Sequence, residues 1–93
     1  ESSEEHYLQA EYFCRQALEV FSKKEAPMQW ASLKGNLAAL MTRKQLFAKT
    51  PEHRSELLQE AVASYSDIEL IYNQFAHPTE VATFYQNYAA AYS

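Results

Sequence analysis

Residues 10–41 return 51 positions later as residues 61–92, and the two copies align without a gap. Ala10 meets Ala61, Pro27 meets Pro78, Ala31 meets Ala82, Asn36 meets Asn87, and Ala38–Ala39 meets Ala89–Ala90. Val20/Ile71, Phe21/Tyr72, Leu37/Tyr88 and Met41/Tyr92 keep their apolar character without keeping identity. A unit repeated at a fixed period is one that cannot bury its apolar face alone and stacks on a copy of itself. Such a chain is expected to offer a surface for binding, not a pocket for chemistry.

The repeat reads as helical throughout. One glycine and three prolines among 93 residues leave few strand-turn signals, and that length gives one domain with a thin core. Each proline stands where a helix should begin. Thr50-Pro51-Glu52 reads as an N-cap, a first-turn proline and an acid at the positive end of the helix dipole. His77-Pro78-Thr79-Glu80 and Ala26-Pro27 are weaker versions, and Ser2-x-x-Glu5 is a candidate capping box. These signals predict an all-α chain of four antiparallel helices near 3–24, 27–48, 51–75 and 78–93. The second is expected to run on to about Lys49, overhanging its partner, with no long loop before Thr50.

Apolar spacing assigns the faces. The first helix carries Tyr7, Ala10, Cys14, Ala17 and Phe21, flanked by Phe13, Leu18 and Val20. The second carries Trp30, Leu33, Leu37, Leu40, Met41 and Phe47; the third Leu57, Ala61, Tyr65, Ile68, Tyr72 and Phe75; the fourth Val81, Phe84, Tyr85, Tyr88 and Tyr92. Trp30 recurs as Val81, so it is expected in the core, where truncation costs about 3–5 kcal/mol. Beside the Trp30 stripe runs a small-residue stripe, Ala31, Gly35, Ala38 and Thr42, repeated in part by Ala82 and Ala89. It suits either close packing of another helix within the stack or a smooth floor for a ligand helix.

Pro27-x-x-Trp30-Ala31, then Asn36-Leu37-Ala38, Ala61-x-x-x-Tyr65 and Pro78, together resemble the tetratricopeptide repeat family. The period is longer than the family's roughly 34 residues, with most of the excess between Arg43 and Glu56. Lys34 stands where the family has a small residue, and Gly35 follows it. The resemblance implies αα-hairpins in a segment of a right-handed superhelix. Residues 3–24 would be an orphan second helix, 27–75 one full pair and 78–93 the first helix of the next, all within one domain over residues 1–93. A closed four-helix bundle is the alternative. The resemblance also implies a concave groove lined by Met28, Ala31, Ser32, Gly35, Ala38 and Ala39, then Thr79, Ala82, Thr83, Gln86, Ala89 and Ala90. None of the twelve is basic, which disfavours a clamp for an acidic tail and favours an apolar or neutral helix. Asn36 and Asn87 hold one place in both copies. A mid-helix Asn is costly unless its amide is bonded, so a bond between helices is the first reading and a ligand contact the second.

Charge is dealt in blocks. Residues 1–22 hold five acids against Arg15, residues 23–54 hold seven bases against Glu25 and Glu52, and residues 55–93 hold five acids and no Lys or Arg. A basic band between acidic ends can dock an acidic partner or another copy, or be a solvated face. Nucleic acid is a poor fit: Lys34, Arg43, Lys44, Lys49 and Arg54 have a single interleaved aromatic, Phe47, and the net charge is −4.

Catalytic patterns are missing from the sequence, and no enzyme activity, cofactor or metal is expected. His53 with Glu56 is a surface pair at most, because a metal site needs three or more ligands. Cys14 falls in an apolar stripe, and one cysteine makes no disulfide within the chain. No stretch approaches the roughly 20 apolar residues of a membrane span, so a cytoplasmic setting is the default expectation. The last helix still reads Ala-Ala-Ala-Tyr near Ser93 without a cap signal, which suggests a piece of a larger repeat protein. The expected function is a non-catalytic scaffold binding a peptide or helix of another protein. Its groove candidates are Ala31, Gly35, Ala38, Ala82, Gln86 and Ala89. The alternative is an assembly module, with a homodimer as its simplest form and Tyr85, Tyr88 and Tyr92 at or beside an interface.

Overall fold

The computed structural model describes residues 3–92, so the candidate capping box at Ser2 lies outside the described residues. The chain is all-helical: α1 (Ser3–Val20), α2 (Pro27–Lys44), a 3-10 turn η1 (Gln45–Phe47), α3 (Pro51–Phe75) and α4 (Pro78–Ala91). No strand occurs among the described residues.

The prolines place three helix starts. Thr50 is extended, as a residue before proline prefers, and its Oγ1 accepts the His53 N–H at 3.1 Å. At α4, His77 Nδ1 accepts the Thr79 N–H at 3.2 Å, while the His77 N–H donates to Glu80 Oε1 at 2.9 Å. This reciprocal cap is stronger than the sequence alone suggested.

Two helix ends fall short of expectation. α1 stops at Val20 instead of residue 24, because Ser22 Oγ takes the Glu25 N–H at 3.1 Å and closes a turn ahead of Pro27. α2 ends at Lys44 and tightens into η1, which closes at Phe47, while Ala48 is extended. Phe47 turns back onto Tyr7, ring centroids 5.7 Å apart, so the added length folds over α1 and does not overhang.

Packing runs in series, α1 on α2, α2 on α3 and α3 on α4, with α2 also touching α4. The buried core comes from α2, α3 and α4: Leu37 and Met41, then Leu57, Tyr65 and Ile68, then Phe84. Among the described residues of α1, Cys14 and Leu18 pack against it, as partly buried residues. Phe13, Val20 and Phe21 of the expected α1 stripe are exposed, and so is Phe75 of α3. Trp30 is half-buried at the core's edge, with Lys23 and Lys34 ammonium groups 5.5 and 5.7 Å from its ring centroid. No helix is long and apolar enough to cross a membrane.

A candidate peptide groove between the second and fourth helices

The small-residue stripe of α2 is where α3 comes close. Gly35 lies so near that a Cβ there would meet Ile68 Cδ1 at 3.4 Å and the Tyr72 hydroxyl at 3.8 Å. Ala31 and Ala38, one turn to either side on the same face, are sealed completely. They are core residues and correct the expectation that they floor a groove. Ala82, Gln86 and Ala89 hold the same places on α4 but are exposed there, and they stand outside the three depressions that run between α2 and α4.

The open groove lies on the adjoining faces of α2 and α4, as three depressions in a row. A depression of about 370 Å³ is lined by Phe21, Met28, Ser32 and Glu80. The middle one, about 240 Å³, is lined by Gly35, Asn36, Tyr72, Thr79, Glu80, Thr83 and Asn87. The last, about 150 Å³, is lined by Ala39, Thr42, Arg43, Asn87 and Ala90. Of the twelve positions that the resemblance implied, Met28, Ser32, Gly35, Ala39, Thr79, Thr83 and Ala90 are therefore brought together.

Asn36 and Asn87 are both exposed and both face the middle depression. Among the described residues neither amide bonds another helix, which corrects the interhelical reading. Their neighbours are less free. Thr42 and Thr83 hydroxyls donate back to the carbonyls of Ala38 and Thr79, at 3.0 and 3.2 Å. Burial lifts the Tyr72 phenol above its ordinary pKa and the Glu80 carboxylate adds to that, against a hydrogen bond with Ser32. Burial also lifts Tyr65, which the Arg43 guanidinium opposes. Both phenols stay neutral at physiological pH. The groove then carries one charge toward each end, Glu80 and Arg43, with neutral amides between.

The tyrosines expected at an interface divide. The Tyr85 hydroxyl donates to Glu69 at 2.8 Å and accepts from the Asn73 amide at 3.0 Å, which ties it to α3. Tyr88 is half-buried, its ring stacked on Tyr65 at 5.3 Å and on Tyr92 at 5.7 Å. Tyr92 is largely exposed.

The basic band is partly used inside the molecule. Lys44 bonds Glu11 at 2.9 Å, and Arg15 joins Glu11 at 2.9 Å to Glu60 at 3.5 Å. His53 pairs with Glu56 at 3.6 Å, and no group of three or more His, Cys, Asp or Glu converges among the described residues. Burial pushes the Cys14 thiol above its ordinary pKa, with Arg15 opposing, which disfavours the reactive thiolate. Comparison with family models, with curated proteins and with solved structures returns no match.

Proposed function

We propose that this chain is a tetratricopeptide-like scaffold that holds a short segment of another protein in the groove between α2 and α4. One observation carries the reading: Asn36 and Asn87 occupy the same repeat position and face the same depression, and among the described residues neither amide bonds another helix. A primary amide offers a donor and an acceptor side by side, the complement of a peptide unit's C=O and N–H. Two amides one repeat apart then grip backbone irrespective of side-chain sequence. Arg43 and Glu80 add direction, favouring a segment with an acid toward the Arg43 end and a base toward the Glu80 end. Of the apolar or neutral helix expected from sequence, the polar side chains of the middle depression favour the neutral segment.

A display library of short random peptides, selected on the protein, tests this. Selected peptides should shift the Asn36 and Asn87 side-chain amide resonances and lose binding to the Asn36→Ala/Asn87→Ala double variant. Peptides that bind the double variant equally well would place recognition elsewhere.

A further inference from the structure

The two copies of the repeat are not covered alike, and the difference falls at opposite ends of the molecule. In α2, Ala31, Ala38 and Met41 are 0%, 0% and 2% exposed. Their counterparts in α4 are Ala82 and Ala89, both exposed, and Tyr92 at 71%. The helix that seals this face of α2 is α3, as the contacts of Gly35 show, so α4 lacks a helix of the α3 kind. The converse holds at the other end. Ser64 and Ile71 of α3 are 6% and 8% exposed, whereas their counterparts Phe13 and Val20 of α1 stand at 66% and 76%. Because α1 packs chiefly on α2 and reaches α3 through Arg15–Glu60, whereas α3 packs on both α2 and α4, α1 lacks one neighbour of the α2 and α4 kind.

We propose that a second copy of this chain supplies both, stacking head to tail so that α1 of one copy seats on α3 and α4 of the next. By the repeat, α1 is the counterpart of α3, and α4 is the counterpart of α2. Each end thus presents the type of helix the other is missing, and the α2–α3 packing inside the molecule continues across the contact. The seat is a groove of about 720 Å³ lined by Arg54, Leu58, Val62, Ala63, Ala91 and Tyr92.

Size and charge both fit. The close approach of Gly35 to Ile68 becomes, after a shift of 51, Gln86 against Ala17 of the second copy. The larger residue replaces the glycine and the smaller replaces the isoleucine, so the helix spacing is conserved. An incoming α1 placed as α3 is placed puts its acidic first turn, with Glu4, beside the end of the groove that holds Arg54. That groove end carries the one base of residues 54–93. The contact is heterologous, so it builds open chains and not closed dimers. It uses a different face of α4 from the Asn36–Asn87 groove and stands whether or not that groove takes a peptide.

Sedimentation velocity of the 93-residue chain over a wide concentration range tests the proposal. The mean mass should climb past the dimer without a plateau. Val20→Glu blocks the head and Ala82→Glu blocks the tail, each at an exposed position, so each variant alone should sediment as a monomer. Mixed in equal amounts, the two should form a dimer and nothing larger, because one intact tail meets one intact head. Phe13→Glu and Gln86→Glu serve as a second pair should circular dichroism show either variant unfolded. A wild-type chain that stays monomeric overturns the proposal. A plateau at the dimer that Val20→Glu leaves intact overturns it too, in favour of a two-fold contact through α4.

Discussion

Lys44 Nζ lies 2.9 Å from Glu11 Oε1, a bond that joins the end of α2 to the middle of α1 across 33 positions of sequence. Burial alone would raise the Glu11 pKa, but the hydrogen bonds from Lys44 and Arg15 outweigh it and hold the carboxyl below its ordinary value. A carboxyl depressed in the folded state adds stability above its unfolded pKa and loses it as pH falls through the folded pKa.

Lys44→Met keeps the apolar stem and removes the charge. At pH 7 it should lower stability by about 1 kcal/mol, the upper end for a partly screened pair. The gap from wild type should begin to close as the pH falls below the ordinary glutamate pKa and vanish once it passes the lowered folded value. Urea titrations at several pH values measure it. A gap that persists unchanged at pH 3 would show that the Lys44 stem, not its charge, holds α1.

Gly35→Ala should stabilise the protein, although Gly35 sits at the closest approach of α2 to α3. The added methyl would meet Ile68 Cδ1 at 3.4 Å and the Tyr72 hydroxyl at 3.8 Å, ordinary contact distances, and no described residue needs a positive φ. Mid-helix glycine costs about 0.5–1 kcal/mol relative to alanine. The urea midpoint should therefore rise. A lower midpoint would mean that the methyl's contact with Ile68 is strained enough to outweigh the helix gain.

Tyr65 and Trp30 should exchange the importance their sizes suggest. Tyr65 is fully buried, with its ring edge-on to Phe84 at 5.9 Å and stacked on Tyr88 at 5.3 Å. Tyr65→Ala should cost about 3–5 kcal/mol. Trp30 is half-buried beneath two lysines, so Trp30→Ala should cost about 2 kcal/mol, the lost burial and cation contacts together. Thermal melts followed by circular dichroism rank them. An equal or larger loss for Trp30→Ala would put the core's centre at α1–α2 and not at α3–α4.

Local chemistry was the legible part of this fold. Proline at Pro27, Pro51 and Pro78 fixes φ and forbids the helix from starting more than a turn earlier, so three helix starts could be read residue by residue. The repeat likewise announced which positions correspond. It did not announce which of two equivalent faces has a neighbour, because that depends on what stands at each end of the stack. Ala31 and Ala82 are the same letter at the same place, yet α3 seals one and leaves the other open. The Arg15–Glu60 contact, 45 positions apart, was invisible for the related reason that it exists only once α1 and α3 share α2. Asn36 and Asn87 were visible as a recurrence, but an amide that bonds a helix and one that awaits a ligand look alike in sequence.

That ambiguity gives the last prediction a sign. Asn is a poor helix former, about 0.5 kcal/mol worse than alanine at a mid-helix position. If either amide held two helices together, its removal would expose or strand a partner and destabilise the fold. Both amides instead face an open depression without a bond to another helix. Asn36→Ala and Asn87→Ala should each raise the urea midpoint. Because they lie on different helices with no shared bond, the double variant should gain close to their sum, about 1 kcal/mol. The same substitutions should abolish capture of peptides selected on the wild-type groove. A residue that lowers stability and is required for binding is one kept for a ligand. Loss of stability in the double variant would return these two residues to the scaffold and take the groove's recognition chemistry with them.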